Sequence, residues 1–228
     1  MKFAVIIFPG SNCDKDCIHA LKNIFHQEVI EVFHKETELP KNTDCVVIPG
    51  GFSYGDYLRT GAIANFANII PAIKDFANNG GLVIGICNGF QILCESGILP
   101  GALTKNKSLS FICEPVYLKV VNNKTPFTSQ YKSGEIISLP IAHGDGRYIS
   151  NNLKDDQIVF QYCDSKGNIS DSSNPNGSDQ NIAGIVNPKQ NVLGLMPHPE
   201  RACEDLLGSE DGKKIFESII NSKVSLQP

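Results

Sequence analysis

Gly80-Gly81-Leu82-Val83-Ile84-Gly85-Ile86-Cys87-Asn88-Gly89-Phe90-Gln91 decides how the rest of the chain is read. Leu82 to Ile86 is a continuous apolar run rich in branched side chains, the pattern of a strand buried on both faces. The run stops at Cys87. Asn88 to Glu95 then carries Phe90, Ile92, Leu93 and Cys94 in a mixed stretch that suits a short helix. Cys87 is therefore expected in a turn between strand and helix. Gly85 and Gly89 lie two residues before and two residues after it. A sharp strand-to-helix turn needs such small neighbours, because the two backbones nearly touch there.

Such a turn has chemical consequences. It pushes the cysteine out at the carboxyl edge of the sheet and aims free helix N–H groups at its sulfur, which favours thiolate over thiol. The same geometry underlies the Gly-x-Ser-x-Gly elbow of hydrolases, written here as Gly-x-Cys-x-Gly. The competing reading is a buried structural cysteine, since a free Cys is commonly a small core residue. The glycine flanks, the preceding apolar strand and Gln91 favour the elbow.

With 228 residues the chain can bury a proper core, and one domain over 1–228 is the simplest division. A net charge of −4 argues against a nucleic-acid surface, which needs clustered Lys and Arg. No apolar run approaches the roughly 18 residues of a membrane span. The start, Met1-Lys2-Phe3, leads directly into an apolar strand and lacks a signal-peptide pattern. The eight cysteines are scattered with no Cys-x-x-Cys pair, so neither a zinc site nor a dithiol redox site is indicated, and no metal is expected. A reducing, cytoplasmic setting is the expectation.

Working outward from the elbow, Phe3–Phe8, Val29–Phe33 and Cys45–Ile48 read as strands. A helix is expected from about Cys13 to Phe25, capped by Ser11 or Asn12 and with Asp14 and Asp16 in its first turn. Another is expected over Ala62–Asn78 with an interruption near Pro71. Alternation of strand and helix implies a parallel sheet with helices on both faces, whose ligands sit beyond the carboxyl ends of the strands. After Pro100 the pattern changes. Phe111–Val121, Glu135–Ile141 and Ile158–Tyr162 look like strands without long helices between them, an antiparallel section. Ser165–Asn181 reads as a long surface loop. Ile182–Val186 and Val192–Met196 read as a hairpin, and Ser209 is expected to cap a last helix reaching about Asn221.

A cysteine nucleophile wants a base and a group that orients the base. Of the five histidines, His19, His26 and His34 read as surface residues. His198 differs: it follows an apolar strand within Met196-Pro197-His198-Pro199-Glu200, where flanking prolines restrict the backbone. In an extended segment side chains two apart point the same way, so Glu200 can hold one ring nitrogen while the other faces Cys87. His143, in Ala142-His143-Gly144-Asp145-Gly146, is the competitor. Asp145 lies inside a glycine turn, which leaves His143 a wall or substrate role. Pro49-Gly50-Gly51-Phe52 places glycines at a strand end, where exposed N–H groups can stabilise an oxyanion. It is not a phosphate loop, because no Gly-Lys-Ser/Thr follows.

Together these stretches resemble class I (triad-type) glutamine amidotransferases, with their flavodoxin-like, mostly parallel sheet plus a smaller antiparallel section. Phe8-Pro9-Gly10-Ser11-Asn12-Cys13-Asp14, the run from Pro49 to Arg59, Gly61-Ala62-Ile63-Ala64, Gly85 to Gln91, Ala142 to Gly146 and Met196 to Arg201 carry the resemblance over nearly the whole chain. Within that family they are similar to glutaminase subunits serving a purine-biosynthesis synthetase. The resemblance implies that Cys87 attacks the side-chain amide of L-glutamine, that His198 moves the protons, and that Glu200 orients His198. It further implies that N–H groups near Gly51 or Phe52, with that of Asn88, bind the oxyanion, and that Gln91 helps hold the substrate. The expected partners are a large synthetase subunit and a small bridging subunit. No cofactor is expected in this chain; ATP and Mg belong on the synthetase. The elbow alone leaves open a glutaminase of another amidotransferase, or a cysteine hydrolase on the same fold.

Overall fold

The structure, a computed structural model, describes residues 1–150 and 152–224. Among the described residues there are eleven strands: β1 (Lys2–Ile7), β2 (Glu28–Phe33), β3 (Cys45–Ile48), β4 (Leu82–Ile86), β5 (Ala102–Thr104), β6 (Ile112–Val120), β7 (Ile136–His143), β8 (Arg147–Ile149), β9 (Ile158–Cys163), β10 (Ile182–Val186) and β11 (Val192–Leu195). Four α-helices accompany them: α1 (Asp14–His19), α2 (Ile70–Asn78), α3 (Asn88–Glu95) and α4 (Lys213–Val224). Nine strands form one sheet in the order β2-β1-β3-β4-β11-β10-β9-β6-β7, while β5 and β8 pair separately.

The pairs from β2 to β11 are parallel and those from β11 to β7 are antiparallel. Following these directions, β1, β3, β4, β11 and β7 all end at one edge. The loops after Ile7, Ile48, Ile86, Leu195 and His143 therefore converge, although they are scattered along the chain. Register makes the key meeting specific: Leu195 pairs with Ile86, and the Cys87 N–H donates to the Leu195 carbonyl at 2.8 Å. His198 lies three residues beyond that point.

The strands β1, β3, β4 and β11 are apolar because both faces are covered, whereas the edge strand β2 carries Glu28 and Glu31 and is largely exposed. A Cβ on Gly81 would lie 2.3 Å from Phe76 of α2, and one on Gly85 would lie 2.5 Å from Leu93 of α3. These glycines are four apart along the chain and point the same way, so α2 and α3 cover one face. The rings of Phe25 and Phe216 meet at a tilt of 40° with centroids 5.4 Å apart, joining the end of the first helical segment to α4. One apolar core runs beneath both halves of the sheet.

Several local expectations are corrected. The first helix is α1 followed by a π turn over Ala20–Ile24, and neither Ser11 nor Asn12 caps it; the Ser11 hydroxyl instead closes a turn onto Phe8. Pro71 does not interrupt a helix but begins α2, where its missing N–H costs nothing. Ala64–Phe66 forms only a 3₁₀ turn ahead of it. Ser209 does not cap α4; its hydroxyl bonds Ser138 and accepts the Asp211 N–H. The 165–181 segment is not all surface. Asn176, Ser178 and Asn181 are buried, and Asn176 bonds Gly146 and Tyr162. His34, expected at the surface, is buried beneath Tyr54, whose hydroxyl meets its Nδ1 at 2.6 Å.

Candidate functional site

Cys87 has φ 52° and ψ −106°, a conformation that side chains larger than glycine rarely adopt. The neighbours explain how it is held. A Cβ on Gly89 would lie 1.9 Å from the Ile48 carbonyl oxygen, and one on Gly85 would lie 2.7 Å from the Gly89 backbone. Strand β3, strand β4 and helix α3 are thus in backbone contact around the bend, and no other residue fits at either glycine. The bend projects Cys87 into a cavity of about 140 Å³ lined by Asn12, Cys13, Gly51, Phe52, Phe111, Ala142, His198 and Arg201.

His198 and Glu200 are buried, and His198 Nδ1 meets Glu200 Oε1 at 2.6 Å. The backbone between them is held by prolines and by the His198 N–H donating to the Pro140 carbonyl at 2.8 Å. Burial by itself drives the imidazole toward neutrality. The Glu200 carboxylate, Cys87, and hydrogen bonds to Cys13 and Cys87 outweigh it and hold the ring well above the ordinary histidine range. Since Glu200 takes Nδ1, Nε2 is the nitrogen left to face the sulfur.

Gly51 has φ +125°, and a Cβ there would lie 2.4 Å from the Asn12 nitrogen, so only glycine brings these loops together. The Phe52 N–H donates to the Gly10 carbonyl at 2.8 Å. That bond removes it from the expected oxyanion donors. Asn88 and Gln91 are buried and face the scaffold. Asn88 Oδ1 accepts the Ser53 N–H, and its Nδ2 donates to Gln91 Oε1 and Asp56 Oδ1. Gln91 Nε2 donates to the Asp145 carbonyl at 2.7 Å. Both residues therefore tie α3 to the loops after β3 and β7. Half-buried Asp56 is pushed up to about 6, by burial first and by Asp145 second, against the opposing bonds from Asn88 and Gly61.

His143 is buried beside this network. Asn106 Nδ2 donates to the carbonyls of Ser110 and His143, so its Oδ1 is the acceptor that meets both the Gly146 N–H and His143 Nδ1. His143 therefore carries its proton on Nδ1. Burial, then the charge of His198, pushes it down to about 4, so it is neutral.

Two residues of the site went unassigned in the sequence. Cys13 follows β1, and its sulfur accepts a 3.0 Å hydrogen bond from Arg201 Nη2. Arg201 Nε also donates to Asp16 Oδ2 at 3.0 Å. The available signal was position: the Phe8–Asp14 loop leaves the sheet at the same edge as the elbow. Cys13, His198 and Glu200 each bring a donor atom within 4.8 Å of the others, the thiol, imidazole and carboxylate set that suits a thiophilic divalent cation. The His198–Glu200 bond and the Arg201 guanidinium already engage those groups.

Residues 1–220 match the CobB/CobQ-like glutamine amidotransferase domain. A phosphoribosylformylglycinamidine synthase subunit PurQ from Pseudothermotoga lettingae is 58% identical over 221 residues, covering 96% of this chain and 94% of that protein. The protein of the same name from Moorella thermoacetica is 52% identical over 227 residues, 97% of this chain and 96% of that one. In the structure of PurLQS from Thermotoga maritima, one chain superposes with a TM-score of 0.88 at 49% identity, covering 97% of this chain and 98% of that chain.

Proposed function

The chain belongs to the family of PurQ subunits of phosphoribosylformylglycinamidine synthase, and we propose that Cys87, His198 and Glu200 are the groups with which it performs the family's glutamine amidotransferase chemistry. Cys87 Sγ attacks the side-chain amide carbon of L-glutamine. The carbonyl oxygen gains negative charge and is met by the N–H groups of Gly51 and Asn88, a pair that excludes the engaged Phe52 N–H. The His198 imidazolium gives its proton to the leaving nitrogen, the C–N bond breaks, and ammonia departs from a glutamyl thioester. Water then attacks the thioester while His198 takes its proton, and glutamate leaves. Glu200 keeps the ring oriented and balances its charge throughout. Asn88 and Gln91 act in this scheme mainly by holding the elbow against its neighbouring loops.

In this reading the ammonia goes to a large synthetase subunit that makes formylglycinamidine ribonucleotide, with a small bridging subunit completing the assembly; the likeness to a chain of PurLQS from Thermotoga maritima supports a multisubunit enzyme. ATP and Mg²⁺ are assigned to the synthetase. A cytoplasmic setting fits the eight free cysteines. Among the described residues no helix is long and apolar enough to cross a membrane.

The observation that carries this reading is the buried His198–Glu200 pair at 2.6 Å, with His198 on the same small cavity as Cys87. The test is glutamine hydrolysis by the chain, alone and with its partners, in Cys87→Ser. Hydrolysis should be abolished while synthesis from free ammonia in the assembled enzyme continues. Normal hydrolysis by the variant would refute the assignment.

A further inference from the structure

The cavity holds a second thiol. Around the point where a side chain on Gly50 would begin, His198 Cε1 lies at 2.8 Å, Cys13 Sγ at 3.2 Å and the Cys87 Cβ at 3.3 Å. Glycine at 50 thus leaves open the space into which all three groups converge, which any larger side chain would fill. The Cys13 sulfur lies within 4.8 Å of a His198 ring nitrogen, and Cys87 and His198 line the same cavity. On its other side Cys13 faces the Arg201 guanidinium at 3.0 Å. A guanidinium can only donate, so the Cys13 sulfur is the acceptor in this contact.

We propose that Cys13 is a resolving thiol for Cys87: after a hydroperoxide oxidises the Cys87 sulfur, Cys13 closes a disulfide with it and keeps the site recoverable. The inference rests on Cys87 being the reactive sulfur of the preceding reading. In the first step the Cys87 thiolate attacks one peroxide oxygen. The O–O bond breaks, the other oxygen leaves as hydroxide or alkoxide and takes a proton, and the sulfur becomes a sulfenic acid. In the second step the Cys13 thiolate attacks that sulfur. The S–O bond breaks, and the departing hydroxide leaves as water with a proton from His198. The sum is two thiols and one hydroperoxide giving one disulfide, one alcohol or water, and one water. A dithiol reductant reverses it by exchange.

The other cysteines do not compete. Burial pushes the thiols of Cys17, Cys45, Cys94, Cys163 and Cys203 up, which keeps them protonated and unreactive. Cys113 is exposed on β6, outside the cavity lining. Without a resolving partner, the sulfenic acid at Cys87 is open to a second peroxide and to the irreversible sulfinic state.

The test treats the full chain with hydrogen peroxide, blocks remaining thiols, and reads intact mass and a peptide map, with glutaminase activity measured before and after dithiothreitol. The wild type should lose two hydrogens, yield a Cys13–Cys87 cross-linked peptide, and regain activity. Cys13→Ala should gain two oxygens at Cys87 and recover at least about tenfold less of its own starting activity. Cys13→Ser serves as a second variant, and the wild-type map requires no variant. Sulfinic acid at Cys87 without the cross-link in the wild type, or equal recovery in a folded Cys13 variant, overturns the proposal. A cross-link in a chain that hydrolyses no glutamine would sink the glutaminase reading and leave the thiol pairing standing.

Discussion

The two halves of the sheet do different work. From β2 to β11 the strands run parallel, are largely apolar at the centre, and send their carboxyl ends into the cavity that holds Cys87, Gly51 and His198. From β10 to β7 the strands run antiparallel. Strand β7 alternates buried and partly exposed residues along its length, as a strand covered on one face does. This half contributes Ala142 to the cavity lining and carries the His143–Asn106 and Asn176 network that braces the loop after β7. The lesson is that bond-making groups stand on backbone buried from both sides, where a strained bend such as Cys87 is held from every direction. The antiparallel half supplies walls and support.

That contrast can be broken at graded cost. Cys87→Ala, in the parallel half, should lower glutamine hydrolysis by about 10³-fold or more in a steady-state assay, with ammonia-dependent synthesis preserved in the complex. Glu200→Gln keeps the shape but removes the charge that holds the imidazolium; kcat should fall by about 10²-fold, with a smaller change in KM. Gly89→Ala drives a methyl into the Ile48 carbonyl, and denaturant melts should register about 3 kcal/mol of destabilisation.

Asp56 gives the smallest effect, at the seam between the halves. Its folded carboxyl sits at about 6, above the ordinary value of 3.8. A raised carboxyl contributes stability only while protonated, so the wild type should lose stability relative to Asp56→Asn as pH rises between those values. The difference should level off above about 6. At a half-buried site, screening reduces it to about 1 kcal/mol, readable in thermal melts across that range.

Much of the parallel half was legible because its strands announce themselves locally. Leu82–Ile86, Cys45–Ile48 and the helix Asn88–Glu95 were bounded to the residue, since each run of apolar side chains ends at a glycine, a proline or the elbow. His198 and Glu200 stood out because prolines frame them; the extended alternation expected there is replaced by a 3₁₀ turn over Pro199–Arg201, from which Glu200 still reaches His198 Nδ1. Strands β5 and β8 were missed because three residues are too few to display a period. Burial of Asn176 was invisible because a polar loop residue looks the same whether it satisfies water or the Gly146 carbonyl. The Cys13–Arg201 contact joins chain segments far apart, and only the order of parallel strands brings them together. Gln91 and Phe52 illustrate the same limit: their positions were readable, but the groups their polar atoms engage were not.

The most direct test is to mix the chain with glutamine, quench in acid within a turnover, and map the mass of the cysteine peptides. A glutamyl adduct on Cys87, absent from Cys13, is the predicted result. Turnover at the usual rate with the adduct on Cys13, or with Cys87 chemically blocked throughout, would contradict it.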